Sequence, residues 1–125
     1  MESMLIQGTQ KCPSVLLDPK KGVFEIKGNS IPEDAGAFFK PILERLEEYF
    51  YSPFPLTIIN IALEYYNSST SKWLLTLFQM LKNQDQKGNN VFIKWYYDDG
   101  DDESLAAAEE YSKMLNIPIR FLKAS

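Results

Sequence analysis

The spacing of apolar residues along the chain changes from a period of two to the spacing of a helix. Residues 14–17 and 23–27 alternate as strands and flank the turn 18–22, which predicts a β-hairpin closed by Gly28. From residue 35 to residue 50 the apolar side chains recur every three or four positions, as in an amphipathic helix. The first part of the chain is therefore predicted to form a hairpin followed by a helix.

The entry and the interior of this first helix carry two further signals. Residues 29–34 begin with capping residues and end with Glu33 and Asp34, whose charges favour the positive end of a helix dipole. Pro41 removes one helical hydrogen bond from the interior. We therefore expect the helix to be kinked or divided into two short helices.

The remaining part of the chain alternates strands with helices. Residues 56–66 are β-branched and aromatic with apolar side chains on both faces. This predicts a central strand covered by helices on two sides, or by a helix on one side and a neighbouring layer on the other. Helical spacing then begins near Lys72 and Trp73, and Gly88 is the predicted stop. Three elements complete the chain: a strand at 91–97, a helix at 104–116 and an edge strand at 117–122.

This order of elements, β-β-α-β-α-β-α-β, predicts a single α/β domain over residues 1–125. Strands separated by single helices pair in parallel through right-handed crossovers, whereas the N-terminal hairpin is antiparallel, so the sheet is expected to be mixed. Residues 1–11 carry little pattern and are predicted to be a partly ordered arm, in which residues 4–6 are available to add a short edge segment.

Composition narrows the classes of function. The formal charge of −4 and a pI near 4.8 argue against binding to a phosphate backbone, so no nucleic-acid partner is expected. The chain has no histidine, the commonest general base and transition-metal ligand, and its glycines are too scattered for a phosphate-binding loop. We therefore expect no enzyme activity, no metal site and no cofactor.

The cellular compartment is predicted from the same sequence. The single cysteine, Cys12, cannot form an internal disulfide, and without histidine in the chain it has no partner that would make it a nucleophile. No signal peptide or membrane-spanning stretch is recognised. A cytoplasmic location without membrane insertion is expected.

The junction at residues 67–71 is the most informative polar feature, because a strand pattern stops there at Asn, three Ser and one Thr. One interpretation is a helix cap made by Asn67, Ser68 or Ser69 for a helix that begins near Lys72. The other is phosphorylation of one hydroxyl, which adds about −1.5 to −2 charges. A phosphate at a helix start favours the fold slightly, whereas the same charge brought into a binding surface opposes it.

Three other groups have both a functional and a structural interpretation. The acidic loop 98–103 is either a divalent-cation site or a solvated turn before the last helix. Trp95 and Tyr97 share one face of a strand and form either a partner surface or part of the core. Lys72 either assists a neighbouring phosphate or acidic partner, or simply faces solvent.

Four sets of residues together resemble a known family over nearly the whole chain. They are Gly8-Thr9-Gln10 with Pro13-Ser14-Val15, Ile26-Lys27-Gly28-Asn29-Ser30 with Pro32-Glu33, Tyr66-Asn67-Ser68-Ser69 with Lys72, and Trp95-Tyr96-Tyr97 with Asp101-Asp102-Glu103. As a set they resemble the SiaC-type regulatory phosphoproteins of bacteria. The resemblance implies a fold similar to the STAS domains of anti-sigma-factor antagonists and a switch without chemistry of its own.

The resemblance also implies the partners and the site. A serine/threonine kinase and a PP2C-type phosphatase would modify the protein, and the unphosphorylated form would bind an effector such as a diguanylate cyclase, favouring cyclic di-GMP synthesis and biofilm formation. The phosphoacceptor falls on Ser68, with Ser69 and Thr70 as alternates because the common family motif Asn-Thr-Ser-Ser reads Asn-Ser-Ser-Thr here. The partner-binding residues expected beside it are Asn67, Ser69, Lys72, Trp95 and Tyr97.

Two alternatives to this switch stay open at the level of sequence. The first is an interaction module that is never phosphorylated. The second is a small-ligand-binding domain, since some STAS-like folds bind nucleotides or lipids.

Overall fold

The computed structural model describes residues 1–124, which form one six-stranded sheet and three helices. The strands are β1 (Met4–Ile6), β2 (Ser14–Asp18), β3 (Val23–Ser30), β4 (Thr57–Tyr66), β5 (Val91–Tyr97) and β6 (Ile119–Lys123). The helices are α1 (Ala35–Tyr49), α2 (Ser68–Gln86) and α3 (Asp102–Leu115). None of these helices is long and apolar enough to cross a membrane.

The strands lie in the order of the sequence, β1-β2-β3-β4-β5-β6. The first three are antiparallel neighbours, whereas β3, β4, β5 and β6 pair in parallel. The predicted mixed α/β sheet with an N-terminal hairpin is therefore confirmed, and β1 is added in front of the hairpin. Strand β6 lies at the edge of the sheet, as expected from the proline that precedes it.

All three helices lie on one face of the sheet. Each connects adjacent parallel strands in the same direction, so right-handed crossovers place them side by side, and α2 contacts both α1 and α3. Within one molecule β4 is therefore covered on one face only, so the expectation of helices on both faces is wrong. The uncovered face carries Asn60 and Glu64 beside Ile58 and Ala62, and these polar residues were the signal that one side of the strand meets solvent.

The core lies between the sheet and the helices. In register across β3, β4 and β5, its sheet side is made of Phe24, Ile59 and Ile93 and then Ile26, Ile61 and Trp95. All six side chains are buried, and they pack against apolar side chains of the helices. The helical side of the core includes Phe39, Ile42, Leu46, Leu74, Leu77, Phe78, Leu81 and Tyr111.

Helix α1 differs from its prediction at its start, and it is a single helix rather than two short ones. Its cap is Asp34, whose carboxylate accepts a hydrogen bond from the N–H of Ala37 at 3.0 Å, while Asn29 and Ser30 belong to β3. Pro41 lies inside a single continuous helix, so the chain is not divided there. Burial of the apolar face of α1 stabilises it against the loss of one hydrogen bond.

Candidate regulatory site at the start of helix α2

The ends of β3 and β4 determine the direction in which the chain enters α2. Pairing between the two strands shifts after Gly28, where β4 contributes one residue more than β3. Because such a bulge reverses the alternation of side chains, Tyr66 turns towards the helices, and its ring meets that of Trp95 edge-on at 6.2 Å. Tyr65 is 62% exposed on the outside. The bulge therefore anchors the last residue before the junction.

Helix α2 begins at Ser68, four residues before its predicted start near Lys72. Asn67 is the cap: its side-chain oxygen accepts from the N–H of Thr70 at 2.9 Å, and its carbonyl accepts from the N–H of Ser71 at 3.0 Å. Asn67 was one of the predicted caps, and this is confirmed. The hydroxyl groups consequently lie in the first turn of the helix rather than in a loop before it.

The hydroxyl groups of this turn differ in their surroundings. Ser68 and Ser69 are exposed. Thr70 is fully buried, and its hydroxyl lies 2.8 Å from the hydroxyl of Ser30 and donates to the Ser30 carbonyl at 3.0 Å. Thr70 was predicted as an alternate phosphoacceptor. The structure corrects this prediction, because modification of the buried Thr70 hydroxyl would require its hydrogen bonds to Ser30 to break.

Ser71 is held by the third helix. Its hydroxyl is hydrogen-bonded to the hydroxyl of Tyr111, which also donates to the Ser71 carbonyl at 3.3 Å. The Tyr111 ring is buried against Phe78 and Trp95, with ring centroids 5.2 and 6.0 Å away. Helix α3 therefore fixes the first turn of α2 from the side opposite to β3.

The predicted partner-binding residues divide into surface and interior groups. Asn67, Ser69 and Lys72 lie together at the start of α2, with Lys72 exposed. Trp95 is only 1% exposed, and its indole N–H donates to the Ser104 hydroxyl at 2.9 Å. The expectation that Trp95 contacts a partner is corrected, because its face of β5 is the one covered by helices. Tyr97 lies on the same face and is partly buried.

The acidic loop 98–103 serves the start of α3. The carboxylate of Asp101 accepts from the N–H of Ser104 at 3.1 Å, and Asp102 and Glu103 occupy the first turn. Within residues 1–124 no cluster of three or more metal-ligating side chains is formed. Burial raises the pKa of Tyr66 well above its usual value, and Tyr111 and the charge of Asp101 raise it further.

Sequence reasoning missed three residues that position this site: Ser30, Tyr66 and Tyr111. Ser30 was interpreted as part of a helix entry, and Tyr111 was included only as a position in the helix predicted at 104–116. Ser30 is 40 positions from Thr70, and Tyr111 is 40 positions from Ser71, so no local pattern connects either pair. Only the polar end of an otherwise apolar tyrosine hinted that Tyr111 needs a hydrogen-bond partner.

The chain is thus an α/β domain with helices on one face of its sheet and with exposed hydroxyl groups, Ser68 and Ser69, at the capped start of α2. The chain belongs to the SiaC family of regulatory phosphoproteins, whose model matches residues 6–124. The family resemblance predicted from the sequence is thereby confirmed. Because the match covers nearly the whole chain, the family relationship concerns the entire domain.

Solved structures and one relative agree with this membership. SiaC of Pseudomonas aeruginosa is 25% identical with a TM-score of 0.89, covering 99% of this chain and 100% of that chain. SiaC from the same organism in complex with the diguanylate cyclase SiaD, described as its activator, is 24% identical with a TM-score of 0.90, covering 97% and 99%. An uncharacterized protein of Pseudomonas aeruginosa strain UCBPP-PA14 is 25% identical over 118 residues, 94% of each chain.

Proposed function

We propose that this protein is a non-catalytic cytoplasmic switch that binds and activates a diguanylate cyclase while Ser68 is unphosphorylated. A serine/threonine kinase would add the phosphate and a PP2C-type phosphatase would remove it. The observation that carries the proposal is the division of hydroxyls in one helical turn. Ser68 and Ser69 are exposed, whereas Thr70 and Ser71 are bound to β3 and α3.

The surroundings of Ser68 favour a phosphate in the folded state. Asn67 satisfies the N–H groups of Thr70 and Ser71, which leaves those of Ser68 and Ser69 without an acceptor inside the helix. A negative charge near such a helix start is stabilising by about 0.3–1 kcal/mol. Lys72 follows Ser68 by four residues and so lies on the same side of the helix. The fold therefore accommodates the modification.

A bound effector would experience the phosphate differently. The modification takes the formal charge from −4 to about −6 and adds bulk at the centre of the surface formed by Asn67, Ser69 and Lys72. A charge that loses its solvent in an interface without a partner costs several kcal/mol. Trp95 supports this surface from the core through its ring contacts with Tyr66 and Tyr111, and Tyr97 lies on the same face of β5. The phosphate would thus control binding without unfolding the domain.

The test is to phosphorylate the protein and then measure its binding. The purified chain is incubated with its cognate kinase and Mg-ATP, and the phosphate is mapped by mass spectrometry, with Ser68→Ala and Ser69→Ala as matched variants. We expect one phosphate, lost only in Ser68→Ala. Protein without phosphate on Ser68, Ser69 or Thr70 would instead be an unmodified interaction module.

Binding to the cognate diguanylate cyclase is measured by titration calorimetry on the same set of proteins. Ser68→Ala should bind as wild type does, whereas Ser68→Asp and the phosphorylated protein should bind at least about tenfold more weakly. All variants should melt within a few degrees of wild type. An unfolded Ser68→Asp protein would show that Ser68 is needed for folding. It would contradict the proposal that the phosphate changes binding and leaves the fold intact.

A further inference from the structure

The uncovered face of the sheet carries two ordered rows of side chains across β3, β4 and β5. In one row Val23 pairs with Ile58 and Ile58 with Phe92. In the next row Glu25 pairs with Asn60 and Asn60 with Lys94. The first row is apolar, and Phe92 in it is 39% exposed. The second row runs from a negative to a positive charge through a neutral amide.

The polar row is incompletely paired within one molecule. In the part of the chain that the structure describes, neither Glu25 nor Lys94 forms a salt bridge; the Lys94 ammonium lies 5.7 Å from the ring centroid of Phe92. The side-chain oxygen of Asn60 is shielded from solvent and has no hydrogen-bond partner among the described residues. A shielded amide oxygen without a donor is unfavourable, so this row gains from a partner that supplies one.

Across β3, β4 and β5, a copy of the same surface has the required pattern. When two sheets face each other about a two-fold axis parallel to β4, β4 lies over β4 and β3 lies over β5. Glu25 then faces Lys94 of the second copy, and the Asn60 amides face each other, so that each oxygen can accept from the opposite NH₂ group. In the apolar row, Val23 faces Phe92 and Ile58 faces Ile58.

We propose that the uncovered face binds a second copy of this chain in this arrangement, giving a two-fold symmetric dimer. Self-complementarity of charge is what such an interface requires, because each patch meets itself. Strands β2 to β6, each at least five residues long, share an area of about 24 by 17 Å, which is about 400 Å² for a flat surface. This is below the roughly 800 Å² per partner of a standard interface, so the dimer dissociates on dilution.

The dimer goes beyond the proposed switch and does not rest on Ser68. The helices lie on the opposite face of each sheet, so both starts of α2 stay accessible in the dimer. One dimer would therefore present two candidate regulatory sites, one at the start of each α2, on its outer sides. Loss of phosphorylation in the experiment above would leave the dimer unaffected, and absence of the dimer would leave the switch unaffected.

Sedimentation velocity of the full chain, from micromolar to millimolar concentration, is the experiment. We expect a concentration-dependent dimer. Glu25→Lys and Lys94→Glu should each weaken it at least about tenfold, since like charges then face each other. The double variant Glu25→Lys/Lys94→Glu should restore dimerisation, because the two charges exchange places. The matched control is Lys40→Glu, which makes the same charge reversal as Lys94→Glu at an exposed position of α1. It should leave the dimer intact.

Circular dichroism confirms that each variant is folded before its mass is interpreted. A wild-type protein that stays monomeric throughout the concentration range overturns the proposal, as does a dimer that ignores both single reversals or is not restored in the double variant. If the monomer instead loses binding of the diguanylate cyclase on Ile58→Asp but not on Lys40→Glu, the face belongs to the effector and the proposal is wrong.

Discussion

The starts of α2 and α3 are built on the same plan and differ in charge. Each helix follows a parallel strand, so both begin at the carboxyl ends of the strands. Each is capped by a side chain that accepts from the N–H three residues later, Asn67 at 2.9 Å and Asp101 at 3.1 Å. The first turn of α3 contains Asp102 and Glu103, whereas that of α2 contains no acidic residue. One helix start is thus permanently charged and the other is neutral.

The correspondence extends position by position through the first turn. The third helical residue is a hydroxyl turned inwards in both cases: Thr70 binds Ser30, and Ser104 accepts from Trp95. The first two positions are exposed in both, and Ser68 and Ser69 stand where α3 has Asp102 and Glu103. A phosphate on Ser68 would give α2 the charge that α3 has by sequence. The proposed phosphorylation would thus place a charge where α3 already carries one in the folded chain.

The largest effect that tests this comparison is removal of the inward hydroxyl. Thr70→Val leaves the buried Ser30 hydroxyl without its partner, and Ser104→Ala leaves the Trp95 indole N–H without its acceptor. Each should lower the free energy of unfolding by about 1–3 kcal/mol. Urea unfolding measures both, with exposed Ser69→Ala as the control, for which a change within about 0.5 kcal/mol is expected. A loss in only one variant would show that the two turns are not anchored alike.

The caps should have the next largest effect. Asn67→Ala and Asp101→Ala each leave one N–H group of the first turn unsatisfied and should each cost about 1 kcal/mol. Asp101→Asn keeps the acceptor and should recover most of its loss, because capping depends mainly on the hydrogen bond. Thermal unfolding of the four proteins, wild type included, decides this. An Asn67→Ala protein as stable as wild type would remove the cap from the argument.

Periodicity was sufficient to predict the order of elements from β2 onwards but not the start of α2. The apolar spacing of this helix begins at Trp73 and Leu74. In the first turn the only buried residue is the polar Thr70, so no apolar residue indicates that this turn is helical. Serine and threonine are weak helix formers, which further disguises the turn. The side-chain hydrogen bond of Asn67 decides where the helix begins, and capping geometry of this kind is visible only in the structure.

The two faces of the sheet show a second limit of sequence reasoning. Alternation placed Trp95 and Tyr97 on one face of β5 but did not say which face the helices cover. That choice follows from the common direction of all three crossovers, which is a property of the whole fold. The polar residues Asn60 and Glu64 on β4 carried the missing information, since a strand covered on both sides would bury them.

The smallest effect is the most direct test of the charge difference between the two helix starts. Ser68→Asp places a carboxylate at the first position of α2 and should raise the free energy of unfolding by about 0.3–1 kcal/mol, whereas Asp102→Ser in α3 should lower it by a similar amount. Both changes should shrink in high salt, because screening weakens the interaction with the helix dipole.

The control for this charge test is Thr76→Asp, which adds the same charge to an exposed position in the middle of α2. It should give no gain, since the dipole acts within the first turn. Urea unfolding at low and high ionic strength compares the three variants. If Ser68→Asp destabilises the protein while Asp102→Ser has no effect, the two helix starts are not electrostatically equivalent. A phosphate on Ser68 would then act on the fold as well as on the partner.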